Sequence, residues 1–171
     1  MRHRQKIIAL LVSVLVVIVV VGIAINQTQK PDGAGRLAPK GVEVPFTTVS
    51  QGYNSGYRER GEYIVKDSLA WQNIWETMHA TVEPKPPIPA IDFTDEFIIA
   101  VFQGTQATGG YSTWITKIVD DGDTWGVSIV DVVPGNTCVV TQALTEPYHI
   151  VKLEKAEKEI RFVREEKVEE C

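Results

Sequence analysis

The sequence predicts an α+β protein: an N-terminal transmembrane helix, then a mostly antiparallel β domain, sheet or sandwich-like, with one packed amphipathic helix. Three observations predict it. Ile7 to Ile25 carry no charge. Downstream, short runs rich in β-branched and aromatic residues alternate with glycine and proline turns. Between them, Trp71, Ile74, Trp75 and Met78 recur at i, i+3, i+4, i+7, the stripe of a helix packed on one side.

The first element is the apolar run. Its 19 residues would span about 28 Å as a helix, against about 30 Å of hydrocarbon. Arg2, His3, Arg4 and Lys6 precede it, so the N-terminus is expected in the cytoplasm and the remainder outside. The run continues through Val19-Val20-Val21 with no small-x-small cleavage site after it, which favours a signal anchor over a cleaved signal. The expected division is a cytoplasmic stub at 1–6, the anchor at 7–25 and a flexible linker at 26–41. A folded domain at 42–164 and a charged tail at 165–171 follow. Removing Arg2, Arg4 and Lys6 leaves 14 basic side chains against 22 acidic, an outer part at about −8. Nucleic acid and anionic lipid both require a basic face, so neither is an expected partner.

Val42 to Val49 reads as a first strand, with Pro45 marking an edge or a bend. Gln51 to Gly61 reads as an exposed loop whose Tyr53 and Tyr57 either contact a partner or cover the edge of a core. Glu62 to Val65 is a short strand. Asp67 or Ser68 caps the striped helix, and His79 ends it. Pro84 to Pro89 forms a stiff extended connection. Phe97 to Phe102 are six consecutive apolar residues, too short for an independent helix and suited to a strand buried on both faces. Thr105 to Gly110 is a small-residue loop. From Tyr111 to Ile118 the pattern alternates, as in a half-exposed strand. Asp120 to Asp123 then turns into Trp125–Val132, giving a hairpin. Pro134-Gly135-Asn136 is another turn, and Ile150–Leu153 and Ile160–Val163 are the last strands.

Chemistry is sparse. Beyond His3, the histidines are His79 and His149. No serine sits in a nucleophile elbow, and Gly104 to Gly110 lacks a phosphate-binding pattern. The three aspartates at 120–123 lack the ligand spacing of a calcium hand, and two cysteines without spaced histidines do not make a zinc site. The expectation is a non-enzyme without metal or cofactor. Cys138 and Cys171 either pair, closing a loop of about 33 residues with about 3–4 kcal/mol of stabilisation, or Cys171 ends a frayed charged tail. Thr108-Gly109-Gly110-Tyr111, with Trp114 close by, joins two conformationally free glycines to aromatic rings of the kind that dominate binding hot spots. A tight turn with its aromatics in the core fits the same spacing.

An ordered set of segments adds to this reading: Trp71-Gln72-Asn73-Ile74-Trp75, Ile91-Asp92-Phe93-Thr94, Ala100-Val101-Phe102-Gln103-Gly104, Thr108-Gly109-Gly110-Tyr111 and Pro147-Tyr148-His149-Ile150-Val151. From roughly Ser50 to Val163 the chain resembles the PrcB C-terminal domain family. The resemblance implies an extracytoplasmic accessory domain. The family's namesake associates with and stabilises a surface subtilisin-like protease complex, and is lipid-anchored where this chain has an apolar run. Loop chemistry is also similar to the chagasin-like inhibitors of cysteine peptidases, in Thr108-Gly109-Gly110-Tyr111 with Trp114 and in Pro147-Tyr148, as convergence more than kinship. Two expectations follow. In one, a membrane-tethered module grips a secreted protease through Thr108, Gly109, Gly110, Tyr111, Trp114, Pro147 and Tyr148. In the other, the same loop plugs the protease cleft as a direct inhibitor.

Overall fold

Eight strands and one helix make three layers in the computed structural model, which describes residues 41–171. The expected stub, anchor and linker lie outside the described residues, and no helix among those described is long and apolar enough to cross a membrane. The strands are β1 (Val42–Glu43), β2 (Thr47–Gly52), β3 (Gly61–Val65), β4 (Glu96–Phe102), β5 (Ser112–Asp120), β6 (Thr124–Pro134), β7 (Tyr148–Glu154) and β8 (Glu159–Glu169). The helix, α1, spans Ser68–Met78 and lies between β3 and β4 in the chain. One sheet has the order β1-β5-β6-β8 and the other β2-β7-β4-β3.

β4 is the middle of the molecule. Ile98, Ala100 and Phe102 point to the helix layer, where they meet Trp71, Ile74, Trp75 and Met78. Phe97, Ile99 and Val101 point the other way, into the core shared with Ile115, Ile118, Trp125, Val127 and Ile129 of the facing sheet. A strand covered on both faces needs apolar residues at every position, and this is what six consecutive apolar residues encode. α1 forms where its stripe predicts. Asp67 is its N-cap, accepting from the Ala70 amide at 2.8 Å. Two indoles fix the proline segment across it: Trp71 Nε1 donates to Pro89 O at 3.0 Å and Trp75 Nε1 to Pro86 O at 3.2 Å.

The expected first strand is split by Pro45, which removes a ladder donor. β1 pairs with β5 in one sheet and β2 with β7 in the other, so the chain changes layers across Val44-Pro45-Phe46. The β5–β6 hairpin forms as read, turning at Asp120–Asp123. There Lys158 Nζ bonds both Asp120 oxygens at 2.9 Å, and its ammonium, with the Gly122 amide, lowers the Asp120 pKa to about 2.

At the C-terminus one expectation is corrected and one open alternative is decided. The charged run 165–169 is the end of β8, not a tail beyond the domain: β8 pairs in parallel with β6 from Thr124↔Glu159 to Pro134↔Glu169. Cys171 is bonded to Cys138, with their Cα atoms 5.0 Å apart. Charge in this run reflects an edge strand, whose exposed side chains are solvated while its backbone pairs on one side.

The seam between the sheets holds polar groups near the end where β4 finishes. Asp131, 1 % exposed, accepts from Thr113 Oγ1 at 2.6 Å and from Arg164 Nη1 at 2.7 and 2.9 Å, and lies 3.3 Å from Arg60 Nη2. Arg164 reaches across to Glu62 of β3 at 2.7 Å. Gln103 Nε2 donates to Val132 O at 3.2 Å. A bulge in β5 frees the Ile115 amide to donate to His149 Nδ1 of β7 at 3.0 Å.

Candidate functional site

Three connections meet at one end of the sandwich: 53–60 after β2, 103–111 after β4 and 135–147 after β6. Glu146 ties them together. Its Oε2 accepts from the Gly56 amide at 2.8 Å and its Oε1 from Thr105 Oγ1 at 3.2 Å. Its backbone donates to Tyr53 O and accepts from Ser55 N. Gln106 and Thr145 exchange both backbone hydrogen bonds, at 2.7 and 3.1 Å, and Thr145 Oγ1 donates to Thr108 O at 2.8 Å.

The glycine pair is held against the third connection. The Gly109 amide donates to Thr141 O at 2.9 Å, and a Cβ on Gly109 would meet Thr141 Oγ1 at 2.3 Å. Gly110 has φ +86°, and a Cβ there would meet Val140 Cγ1 at 2.9 Å and Pro134 Cβ at 3.0 Å. Both glycines are required, one for close approach and one for backbone conformation.

Of the seven residues expected to contact a partner, the structure brings four together here: Thr108, Gly109, Gly110 and the half-buried Tyr111. Trp114 lies elsewhere. Its neighbours Thr113 and Ile115 are buried toward the facing sheet, so its half-buried indole belongs to the outer face, opposite Val130. Pro147 and Tyr148 are buried, as is Gly109. The Tyr148 ring is part of the helix-facing core, and its hydroxyl is bonded to Ser50 Oγ at 3.0 Å. A ring inside the core has no surface to offer a partner.

Of the two loop tyrosines, Tyr57 stacks on Phe102 with centroids 4.0 Å apart and covers the core edge, and burial raises its pKa. Tyr53 is exposed at the loop end. In the connection 135–147 the sequence marks a turn at Pro134-Gly135-Asn136 and a contact residue at Pro147, whereas the exposed side chains are Val139 and Leu144. A readable signal existed. No charged residue occurs from 103 to 116 or from 132 to 145, in a chain that is 23 % charged. The opposite end differs, with Asp92, Asp95, Glu96, Glu154 and Lys155 lining a shallow depression.

The two histidines among the described residues are engaged structurally. His149, 4 % exposed, accepts the Ile115 amide on Nδ1, which leaves its proton on Nε2 for Thr48 Oγ1 at 2.9 Å. Burial lowers its pKa to about 4, so it is a neutral linker between sheets. His79 Nδ1 donates to Trp75 O at 2.9 Å.

A strand buried on both faces, a glycine loop, an alternating hairpin and a last core strand follow one another from Phe97 to Glu154. Residues 97–154 match the PrcB C-terminal family. The PrcB C-terminal match runs from β4 to the end of β7 and includes the connections 103–111 and 135–147. It is narrower than the span carrying the ordered motifs. α1, β8 and Cys171 lie outside it. No curated protein and no solved structure matches the chain.

Proposed function

We propose that this protein is a non-catalytic, membrane-anchored module of the extracytoplasmic space that holds a secreted protease through the uncharged segments 103–111 and 135–145 at one end of the sandwich. The single observation that carries the reading is the composition of that end. Val139 and Leu144 are exposed on the connection that packs on Gly109 and Gly110, and no charged residue falls in 103–116 or 132–145, the charges of this end being confined to Arg58, Glu59, Arg60 and Glu146. The core of a protein interface is depleted in charge and rich in aromatic and aliphatic contacts, and an exposed apolar group of this kind marks a docking surface. The PrcB C-terminal match supports an accessory role in protease-related complexes. The Cys138–Cys171 bond supports an oxidising compartment, and the apolar run at 7–25 supports a membrane anchor.

The test is site-directed photo-crosslinking in cells, with the crosslinker at Val139 or Tyr111 and, as control, at Asp123 of the opposite turn. A single protease adduct from the first two positions and none from Asp123 is expected. Equal yields from all three positions, or no adduct from the loop end, would defeat the assignment. Protease activity with and without the domain then separates two roles. Unchanged or increased activity identifies a stabilising partner, and abolished activity identifies a direct inhibitor.

A further inference from the structure

We propose that the Cys138–Cys171 disulfide is a redox latch that sets the conformation of the glycine loop. This rests on the reading of the loop end as the contact surface. The segment 139–144 has little packing of its own: Val139, Thr141, Gln142, Ala143 and Leu144 are exposed, and Val140 is half-buried. Its position is therefore dictated by its two ends. One end is held through Thr145 and Glu146, by the paired bonds to Gln106 and the bonds to Tyr53 and Ser55. The other is held at Cys138 by the covalent bond to Cys171, beside the Gly135 amide on Glu169 O. Between these ends, Thr141 O receives the Gly109 amide, and Val140 sits under Gly110. Freeing Cys138 leaves that end held only by the turn bond from the Cys138 amide to Gly135 O at 3.0 Å, so the surface that shapes Gly109 and Gly110 loosens.

Cys171 is exposed and Cys138 half-buried, which makes the terminal sulfur the accessible target. A dithiol reductant supplies the chemistry. Its thiolate attacks Cys171 Sγ, and Cys138 leaves as the thiolate. The reagent's second thiol then displaces Cys171, so the reagent ends as a cyclic disulfide and the protein gains two thiols. The bond joins a loop inside the matched family segment to a residue outside it.

The test is amide hydrogen exchange on the full chain, oxidised, reduced with dithiothreitol, and as the Cys138→Ser/Cys171→Ser double variant. In the reduced protein and in the variant, the Gly109 amide is expected to exchange at least about tenfold faster, while β4 and β7 amides remain the slowest in the molecule. Unchanged Gly109 exchange would overturn the latch. So would loss of protection in β4 and β7 together with the loop, since the bond would then hold the whole fold rather than this connection. Neither outcome depends on a partner, so the latch fails or stands separately from the assignment of the surface.

Discussion

His149 shows how one side chain can make two sheets dependent on pH. Its pKa is about 4 in the fold against 6.5 when free, so between those values the unfolded chain binds a proton that the folded one refuses. Stability is therefore complete above pH 6.5 and falls as pH drops toward 4, by roughly 3 kcal/mol over the window. His149→Gln offers an acceptor to the Ile115 amide and a donor to Thr48 without titrating. It is expected to flatten the denaturation midpoint between pH 6.5 and 4. At Gly110, φ of +86° and the nearby Val140 Cγ1 make Gly110→Ala unfavourable. A loss of about 1–2 kcal/mol in chemical denaturation is expected, together with weaker crosslinking from Tyr111. Tyr148 carries the opposite lesson. A proline-aromatic pair near a turn looks like a contact loop, but Tyr148 opens β7, whose residues are buried on both faces through Val151.

At the scale of elements, local chemistry was readable. The Asp67 cap and the Trp71, Ile74, Trp75, Met78 stripe are set by neighbours within a few residues, and α1 starts and buries its face where they dictate. Asp67→Ala is expected to cost about 1 kcal/mol, measured by urea titration, because one first-turn amide loses its acceptor. β4 and the β5–β6 hairpin were legible for the same reason, since their patterns and turns are contiguous. Pairing between distant segments was not. Nothing near Ile160–Val163 states that this strand joins β6 in parallel or runs on to Glu169, because that choice is made by Phe162 and Ile160 packing against the inter-sheet core. The contact surface was half legible. Thr108 to Tyr111 announced itself through glycines, whereas 139–144 has neither motif nor period and is conspicuous only by missing charges.

For the molecule as a whole, the polar cluster at Asp131 decides how firmly the sheets are joined. Asp131 and Arg164 belong to one sheet, Glu62 to the other, and Arg60 immediately precedes β3. Removing the buried carboxylate takes one of the partners of Arg164, which keeps Glu62, and leaves Thr113 Oγ1 without its acceptor; breaking a buried ion pair costs about 3–5 kcal/mol in comparable settings. Asp131→Ala is expected to lower thermal stability by that order in calorimetry, far more than the exposed pair Arg161–Glu159 would. Orientation follows from β1 as well. Gly41 enters beside Asp120, at the pole of the sandwich where the β5–β6 turn lies, while Cys171 finishes against Cys138 beside Val139. The nine residues of β5 separate these poles by about 30 Å. Affinity handles or fluorophores attached upstream of Gly41 should thus leave recognition unobstructed, whereas the same appendage fused after Cys171 would crowd the very loops it was meant to report on.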